Sequence, residues 1–143
     1  MPSFLSGQKK DAVVIYELES ADIQAEITRL QTKTTKNIPD SEKAKAHLEL
    51  ALLHSHYRNG SPDYESALLE LAKYASFDPE GADRIEIRNL QAILRDIKLL
   101  MDENVRLRGR LNRLLKENEE RKLTIEKLKH LDIELEERRR QVK

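Results

Sequence analysis

Apolar residues in the second half of the chain recur every three or four positions almost to its end. Stepping by seven from Ile93 gives Ile93, Leu100, Leu107, Leu114, Arg121, Leu128, Leu135 and Val142, apolar in seven of eight places. The same step from Leu90 gives Leu90, Ile97, Asn104, Leu111, Asn118, Ile125, Asp132 and Arg139. A 3.5-residue repeat held over eight heptads predicts a coiled-coil seam rather than one amphipathic face on a globular domain. With the Leu-rich series at d, the other series occupies a. Asn104 and Asn118 then lie at a, where a buried Asn favours a two-stranded, parallel, in-register pair because only there do the two amides face each other. Glu103 and Arg108, and Glu117 and Lys122, fall at g and e of such a pair. Exposed charges of this kind bias register without driving assembly. An antiparallel or intramolecular arrangement is the alternative.

Further apolar residues fall off this seam. Leu94, Leu99, Met101 and Val105 widen the stripe near its start, which predicts contact with the upstream helices as well as with a partner chain. Leu115 and Leu131 flank the seam farther on. Leu123 and Ile133 face away from it, either as docking positions or as ordinary scattered surface apolars.

Punctuation is confined to the first part. All four Pro lie at or before position 79, and after Gly81 the one helix breaker is Gly109. Everything after Gly81 therefore reads as one helix of about 60 residues, about 90 Å at 1.5 Å per residue. Residues 1–10 are polar and read as a disordered tail. From Asp11, a weaker stripe of Val13, Val14, Tyr16, Leu18, Ile23, Ile27 and Leu30 predicts a first helix, although Val13 to Tyr16 alone would suit a strand. Lys33 to Pro39, with paired Thr, Asn and Pro, reads as a linker.

Asp40 or Ser41 is placed to cap a second helix, with Glu42 in its first turn. Its stripe runs through Ala46, Leu50, Leu53 and Tyr57 to a left-handed stop at Asn59-Gly60. Ser61 and Pro62 then read as N-cap and first residue of a third helix, which carries Tyr64, Ala67, Leu68, Leu71 and Tyr74. Together these form a helical hairpin over 41–80. Ala67, Leu71, Tyr74 and Asp78-Pro79 have the spacing of the second half of a tetratricopeptide repeat, which the hairpin resembles. Any helical hairpin shares some of that spacing. A lone repeat has to be closed by other helices, here the helix before it and the start of the rod. The expected fold is all-α: a helical domain over 11–89 that continues into a coiled-coil rod over 90–143.

Composition agrees. Charged residues are 36% of the 143 and aromatics 4%, too few large apolar groups for a big core but enough for narrow helical stripes. Lys and Arg number 26, as do Asp and Glu, so no global charge favours nucleic acid or an anionic membrane. The absence of Cys excludes thiol catalysis, disulfides and Cys-ligated metals within this sequence. No apolar run reaches the length of a membrane span.

Candidate chemistry is sparse. His54 and His56 are two apart and face different ways on a helix; His47 and His54 are two turns apart. Neither spacing suits a shared metal. Carboxylates along a solvated rod lack the burial that would tune them for acid–base work. No phosphate loop, nucleophile elbow or zinc spacing occurs. We therefore expect no enzyme, cofactor or small-molecule substrate. Arg106, Arg108, Arg110 and Arg113 could meet phosphates, but a basic region precedes its zipper, whereas these lie within the heptads among Leu107, Leu111 and Leu114. Nucleic acid thus ranks last among partners.

The stretch from Leu123 to Arg139, with Lys127-Leu128, Leu131-Asp132-Ile133-Glu134 and Arg138-Arg139, resembles the end of the coiled coil in QseG-type accessory lipoproteins. The order of helical domain and then coiled coil agrees with that family. The resemblance implies a periplasmic, lipid-anchored accessory that binds a membrane sensor histidine kinase, with Leu123, Leu131, Asp132, Ile133, Arg138 and Arg139 as candidate partner contacts. The sequence departs from that family in two ways, having neither a signal peptide nor a lipidation Cys; a start after the anchor would explain both. The alternative is a cytoplasmic scaffold whose hairpin grips a peptide while the rod dimerises. The interface expected from the heptads comprises Leu90, Ile93, Ile97, Leu100, Asn104, Leu107, Leu111, Leu114, Asn118, Ile125, Leu128 and Leu135.

Overall fold

The computed structural model describes residues 18–142. The expected tail over 1–10 and the stripe residues Val13, Val14 and Tyr16 lie outside the described residues. Among the described residues there are five helices and no strand: α1 (Ser20–Thr34), α2 (Asp40–His54), α3 (Tyr64–Phe77), the single turn α4 (Pro79–Ala82) and α5 (Ile85–Gln141). The fold is all-α. It divides into two compact units at Leu99/Leu100.

In the first unit, α1 begins later than its stripe suggested. Leu18 and Glu19 are not helical, and the Glu19 carbonyl accepts from the backbone N–H groups of Asp22 and Ile23 at 2.9 and 3.2 Å. Ile23, Ile27 and Leu30, spaced four and three apart, then bury one face of α1 against Ala46, Leu50 and Leu53 of α2. At the far end, the Thr32, Thr34 and Thr35 hydroxyls donate back to carbonyls three or four residues earlier. Such local bonds compete with helix continuation, and the chain leaves the helix at Thr35.

The α2 helix starts at Asp40 with Pro39 at the N-cap and no side-chain cap bond, so neither Asp40 nor Ser41 caps it. The Pro39 carbonyl instead accepts from Glu42 and Lys43, both at 3.0 Å. The helix ends at His54, short of Tyr57, which is exposed. Asn59 sets this end. Its buried amide donates to the carbonyls of Leu53 and His54 at 3.1 and 3.3 Å, satisfying groups a longer helix would have bonded internally. No described glycine has a positive φ, so Gly60 is not a left-handed stop and the Asn59 side chain takes that role.

Asp63, not Ser61, caps α3. Its carboxylate accepts from the Ser66 backbone N–H at 2.9 Å and from the Ser66 hydroxyl at 2.6 Å. Its own N–H donates to the His54 carbonyl at 2.9 Å, which ties the two ends of the hairpin loop together. Pro62 therefore lies before the cap rather than inside the helix. The pairings run in opposite order along the two helices: His54 with Asp63, His47 with Glu70, Lys43 with Phe77. Hence α2 and α3 are antiparallel.

A second buried cluster joins Ala44 and Ala51 of α2 to Ala67, Leu71 and Tyr74 of α3. The first turns of α5 complete it: Leu94 is 2% exposed, with Ile87 and Leu90 partly buried beside it. The hairpin is thus closed by α1 on one side and by the start of α5 on the other. Between α3 and α5 the chain makes one extra turn. Asp78 caps it, accepting from the Gly81 N–H at 3.0 Å and from the Tyr74 hydroxyl at 3.1 Å. Gly81 is needed there for space, because a Cβ would overlap the Asp78 carboxylate and the Tyr74 hydroxyl.

The second unit, residues 100–143, holds the remainder of α5. Its Leu, Glu, Lys and Arg are good helix formers, and Arg138, Arg139 and Arg140 occupy the last turn, where the dipole favours positive charge. Gly109 stands in open space. Among the described residues no helix is long and apolar enough to cross a membrane.

Candidate functional site

From Leu99 to Val142 every described residue is exposed. Within that stretch the expected seam residues Leu100, Leu107, Leu111, Leu114, Ile125, Leu128 and Leu135 are 45–65% exposed. These large apolar side chains recur on one side of the helix and face solvent. Asn104 and Asn118 lie in the same stripe and are also exposed. Glu103 is held within its own helix by Arg106, whose Nε donates to the carboxylate at 2.8 Å. That hydrogen bond, followed by the Arg106 charge, keeps the Glu103 carboxyl below its usual range. The expected interchain Glu103–Arg108 contact would have to displace this one. His130 and Glu134 approach to 3.2 Å.

The start of the expected interface lies elsewhere. Leu90 packs against the hairpin core and Ile97 is half-buried, whereas Ile93 is exposed. The a-type positions before residue 98 are thus already covered, wholly or in part, within the chain. Of the four off-seam residues near the start, Leu94 alone meets the hairpin; Leu99, Met101 and Val105 are exposed. Helical geometry explains the difference. The hairpin contacts one face over Ile87, Leu90 and Leu94, and that contact ends before Leu99 is reached. The candidate partner contacts Leu123, Leu131, Asp132, Ile133, Arg138 and Arg139 are all exposed.

A second polar constellation was missed by the sequence reading. In the hairpin interior, His47 Nδ1 lies 2.6 Å from Glu70 Oε2, while Lys73 Nζ donates to Glu70 Oε1 at 2.7 Å. The His47 ring stacks on Phe77 with centroids 5.6 Å apart. Burial acts most strongly on Glu70 and opposes its ionisation. The hydrogen bonds and charges of Lys73 and His47 together outweigh burial and hold the carboxyl below its ordinary value. Glu49, half-buried on α2, is pushed up by burial. The carboxylates weighed from the sequence were those of the rod, which are exposed; Glu70 and Glu49 of the hairpin were not considered. A signal existed: Glu70 lies between Ala67 and Tyr74 on the apolar stripe, and His47 between Ala44 and Leu50. With both Glu70 oxygens engaged, the constellation can fix how α2 meets α3.

The remaining histidines do not converge. His56 is buried, accepts from the Arg58 N–H at 3.1 Å through Nδ1, and leaves Nε2 without a hydrogen-bond partner. Among the described residues no group of His, Cys, Asp and Glu is arranged to hold a metal ion. No family model, curated protein or solved structure matches the chain.

Proposed function

We propose that this protein is a non-enzymatic interaction module whose α5 helix beyond Leu99 pairs with a second copy as a parallel coiled coil. One observation carries the proposal: seven large apolar side chains recur at a and d spacing on a stretch where every described residue faces solvent. Moving such a side chain from water into a packed interface is worth about 1.5–3 kcal/mol, so seven of them outweigh any effect of the flanking charges. The charges and the two Asn then choose orientation and register. Thermal unfolding followed by circular dichroism at several protein concentrations tests the pairing. A dimeric rod melts at higher temperature as concentration rises, and an independent helix does not.

The paired rod acts as an accessory to a membrane sensor histidine kinase, binding one of its states better than the other and so shifting their balance. Support comes from the likeness of Leu123 to Arg139 to QseG-type coiled coils, and from the exposure of Leu123 and Ile133, which lie off the seam of a two-stranded rod. Titrating the full chain into isolated sensor domains of two-component kinases from the same genome, by calorimetry, tests this part. Saturable heat with one domain, weakened by Leu123→Asp, supports it; no binding to any of them rejects it.

A further inference from the structure

We infer that the seam between two copies shifts phase by three residues at Leu128, so that Leu131 enters the interface and Asp132 leaves it. This rests on the homodimeric pairing proposed above. Up to Leu128 the heptads run without a break through Leu114, Asn118, Arg121, Ile125 and Leu128. Continued unchanged, they place Asp132 in the seam, where a charge loses its hydration without gaining a partner. A step of three from Leu128 reaches Leu131 instead, and steps of four, three and four then give Leu135, Arg138 and Val142. Such a three-residue insertion locally overwinds a coiled coil and is a known variation on the repeat.

The flanking charges separate the two registers. In the shifted frame Lys127 and Glu134 take g, while Asp132 and Arg139 take e. In a parallel pair, g of one helix meets e of the next heptad on the other, so Lys127 faces Asp132 and Glu134 faces Arg139. Both contacts join opposite charges. In the unshifted frame the corresponding pairs are Leu131 with Glu136 and Arg138 with Lys143; neither attracts, and the second repels. One step thus replaces Asp132 by Leu131 in the seam, exchanges Arg139 there for Arg138, and brings Asp132 and Arg139 opposite Lys127 and Glu134. Leu131 is exposed in the single chain and free to take this role. Glu134 has to give up only an exposed contact with His130.

The chain has no Cys, so single-Cys variants of the full-length protein report the seam directly. Leu107→Cys, Leu131→Cys and Asp132→Cys are each equilibrated in a glutathione redox buffer, and interchain disulfide is measured, with circular dichroism confirming equal helicity. Residues facing each other across the seam satisfy the short Cα separation a disulfide needs, and flanking residues do not. Leu131→Cys should cross-link to the extent of Leu107→Cys, with an equilibrium constant about tenfold above that of Asp132→Cys. Preferential linking of Asp132→Cys would mean unbroken heptads and overturn the shift. Linking of Leu107→Cys alone would mean that the seam ends before Leu131, and would overturn it too. If Leu107→Cys fails to link and the protein sediments as a monomer, the pairing itself falls, and the shift with it.

Discussion

His47 and Glu70 meet inside the α2–α3 hairpin, imidazole Nδ1 to carboxylate oxygen at 2.6 Å, on positions that simple patterning assigns to apolar side chains. Breaking such a buried contact strands a polar group as well as losing a bond. His47→Ala should lower hairpin stability by about 2–4 kcal/mol, measured by urea unfolding, because it removes a Glu70 partner and the ring stacked on Phe77.

The same contact predicts a pH dependence. A carboxyl that ionises more readily in the folded state than in the unfolded one stabilises the fold above its unfolded pKa. That contribution is lost as pH falls through the lower folded value. Glu70 is held below its ordinary range, so its own contribution to hairpin stability is fully present above its unfolded value of about 4 and is lost as pH falls below that. Glu70→Gln should be less stable at neutral pH and flatten that part of the acid decline. Thermal melts at several pH values would show it, and an unchanged profile in the variant would rule out this role for Glu70.

Two glycines on helices should respond oppositely to a Cβ. Gly81→Ala pushes the new methyl into Asp78 and Tyr74, whose mutual hydrogen bond and cap to the Gly81 N–H hold the turn before α5. The expected loss is about 1–3 kcal/mol. Gly109→Ala meets nothing within 4 Å and should gain about 0.5–1 kcal/mol of helix stability. Unfolding curves of the two variants against the parent suffice.

Stability and association should separate along α5. Leu94 is buried with the hairpin core, so Leu94→Ala should cost about 2–5 kcal/mol in hairpin unfolding. Leu107 is exposed within the single chain. Leu107→Asp should leave hairpin unfolding unchanged while weakening association. Near-ultraviolet signal from Tyr74 and Tyr64 follows the hairpin, and light scattering follows association. A large effect of Leu107→Asp on hairpin unfolding would contradict this division.

Much of the fold can be read from the pattern of residues. The three-and-four spacing of Ile23, Ile27 and Leu30, and of Ala67, Leu71 and Tyr74, marks faces that are buried, and the lack of breakers after Gly81 marks the long helix. Helix ends were harder to place, because side chains decide them against periodicity. Tyr57 continues the stripe of Leu50 and Leu53, yet the Asn59 amide takes the carbonyls that would have carried the helix onward. Ser61-Pro62 looks like a helix start, but the Asp63 carboxylate reaches Ser66 and its N–H reaches back to His54. Leu90 fits the heptads equally well as a seam residue, and only the packing of α5 on the hairpin shows it to be taken up within the chain. His47 and Glu70 were hidden because each is a polar residue on a buried stripe, and their mutual satisfaction depends on how α2 meets α3. The long helix that carries the heptads was legible because no strong breaker interrupts its good helix formers after Gly81.

Sedimentation equilibrium of the full chain, beside the Leu107→Asp/Leu114→Asp variant, tests the pairing most directly. A dimer for the parent at micromolar concentration and a monomer for the variant, with equal hairpin stability, is the predicted result. A parent that remains monomeric at tens of micromolar would contradict the pairing and turn the exposed seam into a surface for another protein's helices.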